Sequence, residues 1–238
     1  MPVLIPILQQ LRLFDTLDVE QLAALAPTLS ERVVERREVV FKRGEVAASL
    51  GFLIEGRLQS VDFTIDGREV GIHFINPGDF FGELGVIDRG PAAEYVIAVA
   101  PSRVVMLDRD RARELMFGAP ATAEAVSMRM AQRLRQLARQ RAVLALPSSF
   151  QRVCAQLVLL TQDAPAPDAP HPLIPMAPTH QEIAIMVNTS RETVTRALQF
   201  LQAQRVVARS GTALRVERPD LLQEAADGRI QPGTGKEG

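Results

Sequence analysis

Apolar positions in the first 30 residues fall in a helical rhythm, with Leu8, Leu11, Leu17, Leu22, Leu25 and Leu29 spaced like one buried stripe. Asp18-Val19-Glu20-Gln21 supplies a capping-box start within it. From about Val33 the rhythm changes to short β-branched or aromatic runs: Val39-Val40-Phe41, Gly51-Phe52-Leu53-Ile54, Val61-Asp62-Phe63-Thr64 and Val70-Gly71-Ile72-His73-Phe74-Ile75. Turns at Gly44, Gly56, Asp66-Gly67, Pro77-Gly78 and Arg89-Gly90-Pro91 separate them. Strands of this length and spacing, continuing to about Leu107, predict an antiparallel barrel or roll. Asp66-Gly67, between two such runs, is the strongest hairpin signal in the chain.

Near Asp110 the pattern turns helical again. Residues 110–145 have no glycine after Gly118 and no proline after Pro120, and their Ala, Leu, Met, Gln and Arg content predicts a long helix. Met130, Leu134, Leu137, Arg141 and Leu144 follow a 4-3-4-3 spacing, the seam of a two-helix coiled coil. A helix lying on its own β-domain fits the same pattern. Pro147-Ser148-Ser149 ends this helix and caps another, with Val153, Leu157 and Leu160 on one face. The prolines at 165, 167, 170, 172, 175 and 178 predict a stiff extended loop with a strand edge. A tail without structure is expected after Ala226.

Thr179-His180-Gln181-Glu182 is a second capping box, opening a short helix through Val187 with Ile183, Ala184 and Val187 inward. Asn188, tolerant of left-handed backbone, marks the turn. Ser190 caps a second helix to about Arg205, with Val194, Leu198 and Leu201 inward and Arg191, Glu192, Thr195 and Arg196 outward. Val206-Val207-Ala208 and Ala213-Leu214-Arg215-Val216 around a glycine turn make a small wing. Two capped helices with a tight turn, and a fork-bearing arginine and a carboxylate at the start of the second, suit the major groove. Arginine matches guanine O6 and N7, and a carboxylate accepts from cytosine N4.

Composition narrows the classes. At 238 residues, 47% hydrophobic and 23% charged, the chain is globular and long enough for more than one core. Its formal net charge is −1, so affinity for nucleic acid needs a local surface. Residues 178–218 hold six arginines against three glutamates, which is such a surface. The single cysteine, Cys154, excludes an intrachain disulfide, an iron–sulfur cluster on cysteines and a Cys-rich zinc site, and reads as a core residue. Neither a membrane span nor a secretory signal is apparent, so the expected location is the cytoplasm. His73 reads as a strand residue rather than a haem ligand, and His171 and His180 lie outside the β-region. No metal and no cofactor are expected. No Ser/His/Asp, metal-ligand or P-loop constellation points to an enzyme, and Ser148-Ser149 reads as a helix cap.

Gln181-Glu182-Ile183 with Ser190-Arg191-Glu192-Thr193-Val194-Thr195-Arg196, followed by a wing, resembles the winged helix-turn-helix of the CRP/FNR transcription regulators. Asn76-Pro77-Gly78-Asp79-Phe80-Phe81-Gly82-Glu83-Leu84-Gly85 resembles the phosphate-binding turn of their cyclic-nucleotide-binding β-roll. Met130-Ala131-Gln132-Arg133-Leu134 resembles their dimerisation helix. The likeness covers about residues 8–225. It implies an α+β chain: a β-roll effector domain with a flanking N-terminal helix (1–109), a dimerisation helix (110–146), a winged helix-turn-helix (147–226) and a disordered tail (227–238). The resemblance further implies double-stranded DNA, a second copy of the chain, a small-molecule effector and RNA polymerase as partners, and no membrane. Carried over by residue, Arg191, Glu192 and Arg196 read bases of a TGTGA-like half-site. Gln181, Ser190 and Thr193 contact phosphate, with Thr195 beside them.

The input end departs from the family. Its cyclic-AMP binders carry an Arg-Ser or Arg-Ala pair after the Gly-Glu-Leu turn, whereas Ala92, Ala93 and Glu94 stand here. Glu94 is expected to oppose an anionic ligand as an uncompensated charge. The positions that hydrogen-bond the base are the apolar Leu137 and Ala138. The candidate pocket is Gly82, Glu83, Leu84, Ala93, Glu94, Arg133, Leu137 and Ala138, in which Glu83 and Arg133 can pair with each other. Cyclic AMP in the family's usual pose is therefore not expected. A cyclic dinucleotide held by Arg89, an apolar effector or no effector remain as readings, as does a β-roll module acting on a protein partner.

Overall fold

The computed structural model describes residues 5–63, 67, 69–164 and 166–232, with Ile72 described by its backbone alone. The chain divides into two compact units between Arg133 and Leu134. The Asp66-Gly67 hairpin signal, Thr64 and the tail from 233 lie wholly or partly outside the described residues.

The N-terminal unit begins with α1 (Ile5–Leu8), one 3-10 turn at Arg12–Thr16 and α2 (Val19–Leu25). The continuous helical stripe expected over 1–30 is thus broken, and its last leucine, Leu29, starts a strand. Asp18 explains the break. Its carboxylate accepts from the Gln21 N–H at 2.8 Å while its own N–H donates to Gln21 Oε1 at 3.0 Å, so a new helix starts there. Among the described residues, eight strands follow with one short helix among them: β1 (Leu29–Val34), β2 (Val39–Phe41), β3 (Ser49–Glu55), β4 (Leu58–Phe63), β5 (Glu69–Ile75), β6 (Phe80–Phe81), α3 (Glu83–Asp88), β7 (Tyr95–Ala98) and β8 (Ser102–Asp108). They form two antiparallel sheets, ordered β1-β8-β3-β6 and β2-β7-β4-β5. Leu53, Leu58, Ile75, Phe81, Val96 and Val104 fill the space between sheets. A second core joins the leading helices to the first sheet, where the Phe14 and Phe52 rings stand 4.7 Å apart. Each ring taken fully from water contributes about 1.5–3 kcal/mol.

The long helix expected over 110–145 is two helices, α4 (Arg109–Gly118) and α5 (Pro120–Leu144). Ala119 is extended (φ −136°, ψ 142°), as the residue before a proline prefers, and Pro120 opens α5 where its missing N–H is harmless.

In the C-terminal unit lie α6 (Ser149–Gln162), β9 (Leu173–Ile174), α7 (His180–Met186), α8 (Arg191–Ala203), β10 (Val207–Ser210), β11 (Ala213–Val216) and α9 (Pro219–Ala226). The wing is a three-stranded sheet, β10-β11-β9, in which Leu214 pairs with Ile174. The short strand anticipated in the proline loop is therefore its edge. Phe150 of α6 meets Phe200 of α8 edge-on at 5.5 Å. Cys154 is buried on α6, where burial pushes its thiol up to about 12. The tail expected from 227 has structure at its start: Gly228 (φ +81°) and Arg229 donate back to the carbonyls of Ala225 and Glu224 and close α9.

Candidate DNA-reading surface and effector pocket

Both capping sites predicted for the helix pair are formed. Thr179 accepts from the Glu182 N–H at 3.2 Å while the Glu182 carboxylate accepts from the Thr179 N–H at 2.6 Å. Ser190 Oγ accepts from the Thr193 N–H at 3.2 Å. Asn188 takes φ +48° in the turn. Val194, Ala197, Leu198 and Leu201 are buried, which leaves Arg191, Glu192 and Arg196 exposed at the start of α8. Gln181 and Ser190 are exposed beside them and Thr193 is half-buried. Thr195 differs from the outward placement expected of it. It is half-buried, its hydroxyl donates to Arg191 O at 2.9 Å, and it lies 2.8 Å from His180 Nδ1, tying α8 to α7. The Glu192 carboxyl is held below its ordinary range by its own backbone N–H and by the Ser190 hydroxyl, with Arg191 and Arg196 adding to the effect. It therefore stays ionised, as an acceptor from cytosine must.

In the β-roll, Gly82 takes φ +84°, and a Cβ there would collide with the Phe41 ring, so only glycine fits. That turn delivers Glu83 to the interior at 1% exposure. Arg133 of α5 pairs with Glu83 and also lies 3.0 Å from Glu94. Glu94 is therefore compensated, contrary to the bare charge expected of it. His73 of β5 lies with Nε2 2.5 Å from Arg133 Nη2. Burial above all, then Arg133 and Arg129, holds the imidazole well below its usual range, so it is neutral and accepts. One helical turn earlier, Arg129 meets the buried Asp79 at 3.3 Å, and Arg12 meets the other Asp79 oxygen at 3.3 Å.

The cavity here is bounded by Phe41, Gly82, Glu83, Leu84, Gly85, Ala92, Ala93, Glu94, Val96 and Arg133. It leaves about 20 Å³, room for one water. Leu137 and Ala138, expected near it, are exposed on α5. Arg89 is exposed and faces Asp110 at 3.7 Å. On α5, Leu134 (67% exposed), Leu137 (47%), Arg141 and Leu144 (39%) form an open stripe, while Met130 packs into the N-terminal core.

His73, Asp79 and Arg129 were not among the expected pocket residues. The available signal was the i,i+4 pair Arg129 and Arg133 on an otherwise core-facing stretch of helix, two cations that need buried acids.

Residues 31–118 match the cyclic nucleotide-binding domain and residues 151–225 the Crp-like helix-turn-helix domain. The chain is 32% identical over 197 residues to the CRP-like cAMP-activated global transcriptional regulator of Mycobacterium tuberculosis, covering 81% of this chain and 86% of that one. It is 26% identical to the cyclic AMP receptor protein of Thermus thermophilus, covering 91% and 97%. Among solved structures, FixK2 from Bradyrhizobium japonicum shares the fold with a TM-score of 0.70 at 21% identity, covering 83% of this chain and 96% of that chain. A CooA mutant from Carboxydothermus hydrogenoformans shares it with 0.74 at 16%, covering 91% and 95%. A roll of this kind and a winged reading head, in that order, define a DNA-binding transcription regulator. The chain belongs to the CRP/FNR family. Among the described residues, no helix is long and apolar enough to cross a membrane.

Proposed function

We propose that this regulator acts in the cytoplasm as a homodimer joined along α5. It reads an inverted repeat of TGTGA-like half-sites and answers to an effector other than cyclic AMP or to none. The observation that carries the DNA half is the capped start of α8, where Arg191, Glu192 and Arg196 stand exposed together. Gln181, Ser190 and Thr193 are the proposed phosphate contacts. The open stripe Leu134, Leu137, Leu144 supports the dimer, because apolar side chains at seam spacing gain most from a second copy. RNA polymerase is the protein partner that family membership suggests, and no catalysed reaction is proposed.

The effector half rests on Arg133. Its guanidinium already faces two carboxylates, and the space left holds one water. The mycobacterial relative is described as cAMP-activated. Here the arginine that would neutralise a cyclic phosphate is replaced by Ala92 or Ala93, and Glu94 engages the arginine that remains.

Binding-site selection tests the DNA half. The unaltered protein is expected to select a TGTGA-like inverted repeat. Arg191→Ala and Glu192→Ala are each expected to lose about 1–3 kcal/mol of discrimination at one position of each half-site, with much less effect on random DNA. The same motif recovered from the unaltered protein and both variants would overturn the assignment.

A further inference from the structure

The last carbonyls of α7 are met in an uneven way. Those of Ile183, Ala184 and Ile185 accept from the N–H groups of Val187, Thr189 and Asn188. The next three are reached by side chains from other helices. Gln140 of α5 donates through Nε2 to Met186 O at 2.7 Å. Arg152 of α6 donates through Nε to Val187 O at 2.9 Å and through Nη2 to Asn188 O at 3.4 Å. Its Nη1 also reaches Leu146 O at 3.1 Å, two residues past the end of α5. One guanidinium thus joins the segment leaving α5 to the turn between α7 and α8, and Gln140 repeats the tie from α5 itself.

The chemistry fits the place. Carbonyls at a helix C-terminus lack intrahelical partners and carry the negative end of its dipole, so a cation there is favourable. The guanidinium offers several N–H groups in a rigid fork and can hold three carbonyls at fixed relative positions. The turn it holds contains Asn188 at φ +48° and leads straight into the Ser190 cap of α8.

We infer that Gln140 and Arg152 are positioning residues for DNA reading, which fix the recognition helix α8 against α5 and so set the separation of the two recognition helices in the dimer. This rests on the dimeric reading proposed above. A two-fold reader accepts half-sites only at the separation its own geometry sets, about 10–10.5 base pairs centre to centre or multiples of it. A tie of this kind governs tolerance of half-site spacing. It leaves the bases preferred within each half-site unchanged, because Arg191, Glu192 and Arg196 remain in place. A contribution to stability alone would leave the spacing tolerance unchanged as well.

The test uses the full-length protein and the repeat that it selects, synthesised with the spacer lengthened or shortened by one or two base pairs. Affinities are compared for the unaltered chain, Arg152→Gln, Arg152→Lys and Gln140→Ala, with thermal unfolding recorded for each. In Arg152→Gln the preference for the native spacer is expected to fall by roughly tenfold, the worth of one hydrogen bond to a charged group, and in Gln140→Ala by about three- to fivefold, the worth of one between neutral groups. Arg152→Lys recovers part of it, since an ammonium can meet the carbonyls but lacks the fork. Gln140→Ala keeps the test decisive if Arg152→Gln does not fold, because alanine favours the helix. Folded variants with the unaltered spacing preference, or an equal loss at every spacing, overturn the inference while the dimeric reading stands. An unaltered protein indifferent to spacing overturns the dimeric reading, and the inference with it.

Discussion

At Arg133 one guanidinium faces Glu83, Glu94 and His73 together, and this crowding decides what else the roll can accept. A nucleotide phosphate would have to displace Glu94 and find more room than one water occupies. Removing one member of such a buried pair is expensive, about 3–5 kcal/mol, because the other charge is left uncompensated. The informative change is therefore one that replaces the acid and supplies a cation. Ala93→Arg with Glu94→Ser does both, and supplies an Arg-Ser pair at one of the two places where the family's pair would fall. Cyclic AMP is expected to leave the unfolding temperature of the unaltered protein unchanged and to raise that of the double variant. Ligand at a hundred times its dissociation constant corresponds to roughly 2.7 kcal/mol. A cyclic-AMP-dependent shift in the unaltered protein would mean that Glu94 does not keep the phosphate out.

At the scale of elements, what was legible in advance was what short-range chemistry decides. Thr179 with Glu182, Ser190 ahead of α8 and Asp18 with Gln21 are caps made within four residues of chain, and all three form. The alternation of β-branched runs and glycine turns likewise announced the sheets. Where one interruption outweighed a favourable average, the reading failed. Ala119-Pro120 divides a segment whose summed propensity is strongly helical, and α9 went unforeseen because its eight residues carry no cap but Pro219. The α5 stripe is the element whose partner matters most. Leu134 and Leu137 are exposed, so lysine at either costs the folded monomer little yet places a charge in the seam. Leu134→Lys with Leu137→Lys is expected to shift sedimentation from dimer to monomer while thermal unfolding of the N-terminal unit is kept. A variant that still sediments as a dimer places the interface elsewhere.

Over the whole molecule, the least legible part is the buried polar cluster, for its members meet only after folding. His73 and Arg133 are 60 residues apart in the chain, and no periodicity connects them. The cluster makes stability depend on pH with a definite sign. The folded protein keeps His73 neutral well below the ordinary value of 6.5, while the unfolded chain takes up a proton there. Stability is therefore full above about pH 6.5 and falls as the solution is acidified through that value, by at most about 1.4 kcal/mol per pH unit for this one site. His180, also lowered, chiefly by burial and then by Arg209 and Arg191, acts in the same direction. Denaturant unfolding of the unaltered protein and His73→Gln between pH 7 and pH 5 measures the difference, and parallel curves would rule out His73 as its source.

One thiol serves the entire chain, and it is sealed inside α6 with its ionisation pushed up to about 12. Only the thiolate is a nucleophile, so the closed reading head is nearly inert to alkylating and disulfide reagents. Reaction awaits an opening of the core around α6 and then proceeds as for a free cysteine. The rate of labelling at Cys154, divided by that of an unfolded peptide, is thus a direct gauge of the opening free energy of the DNA-reading unit. The reporter is native to the sequence, and no competing thiol elsewhere blurs it.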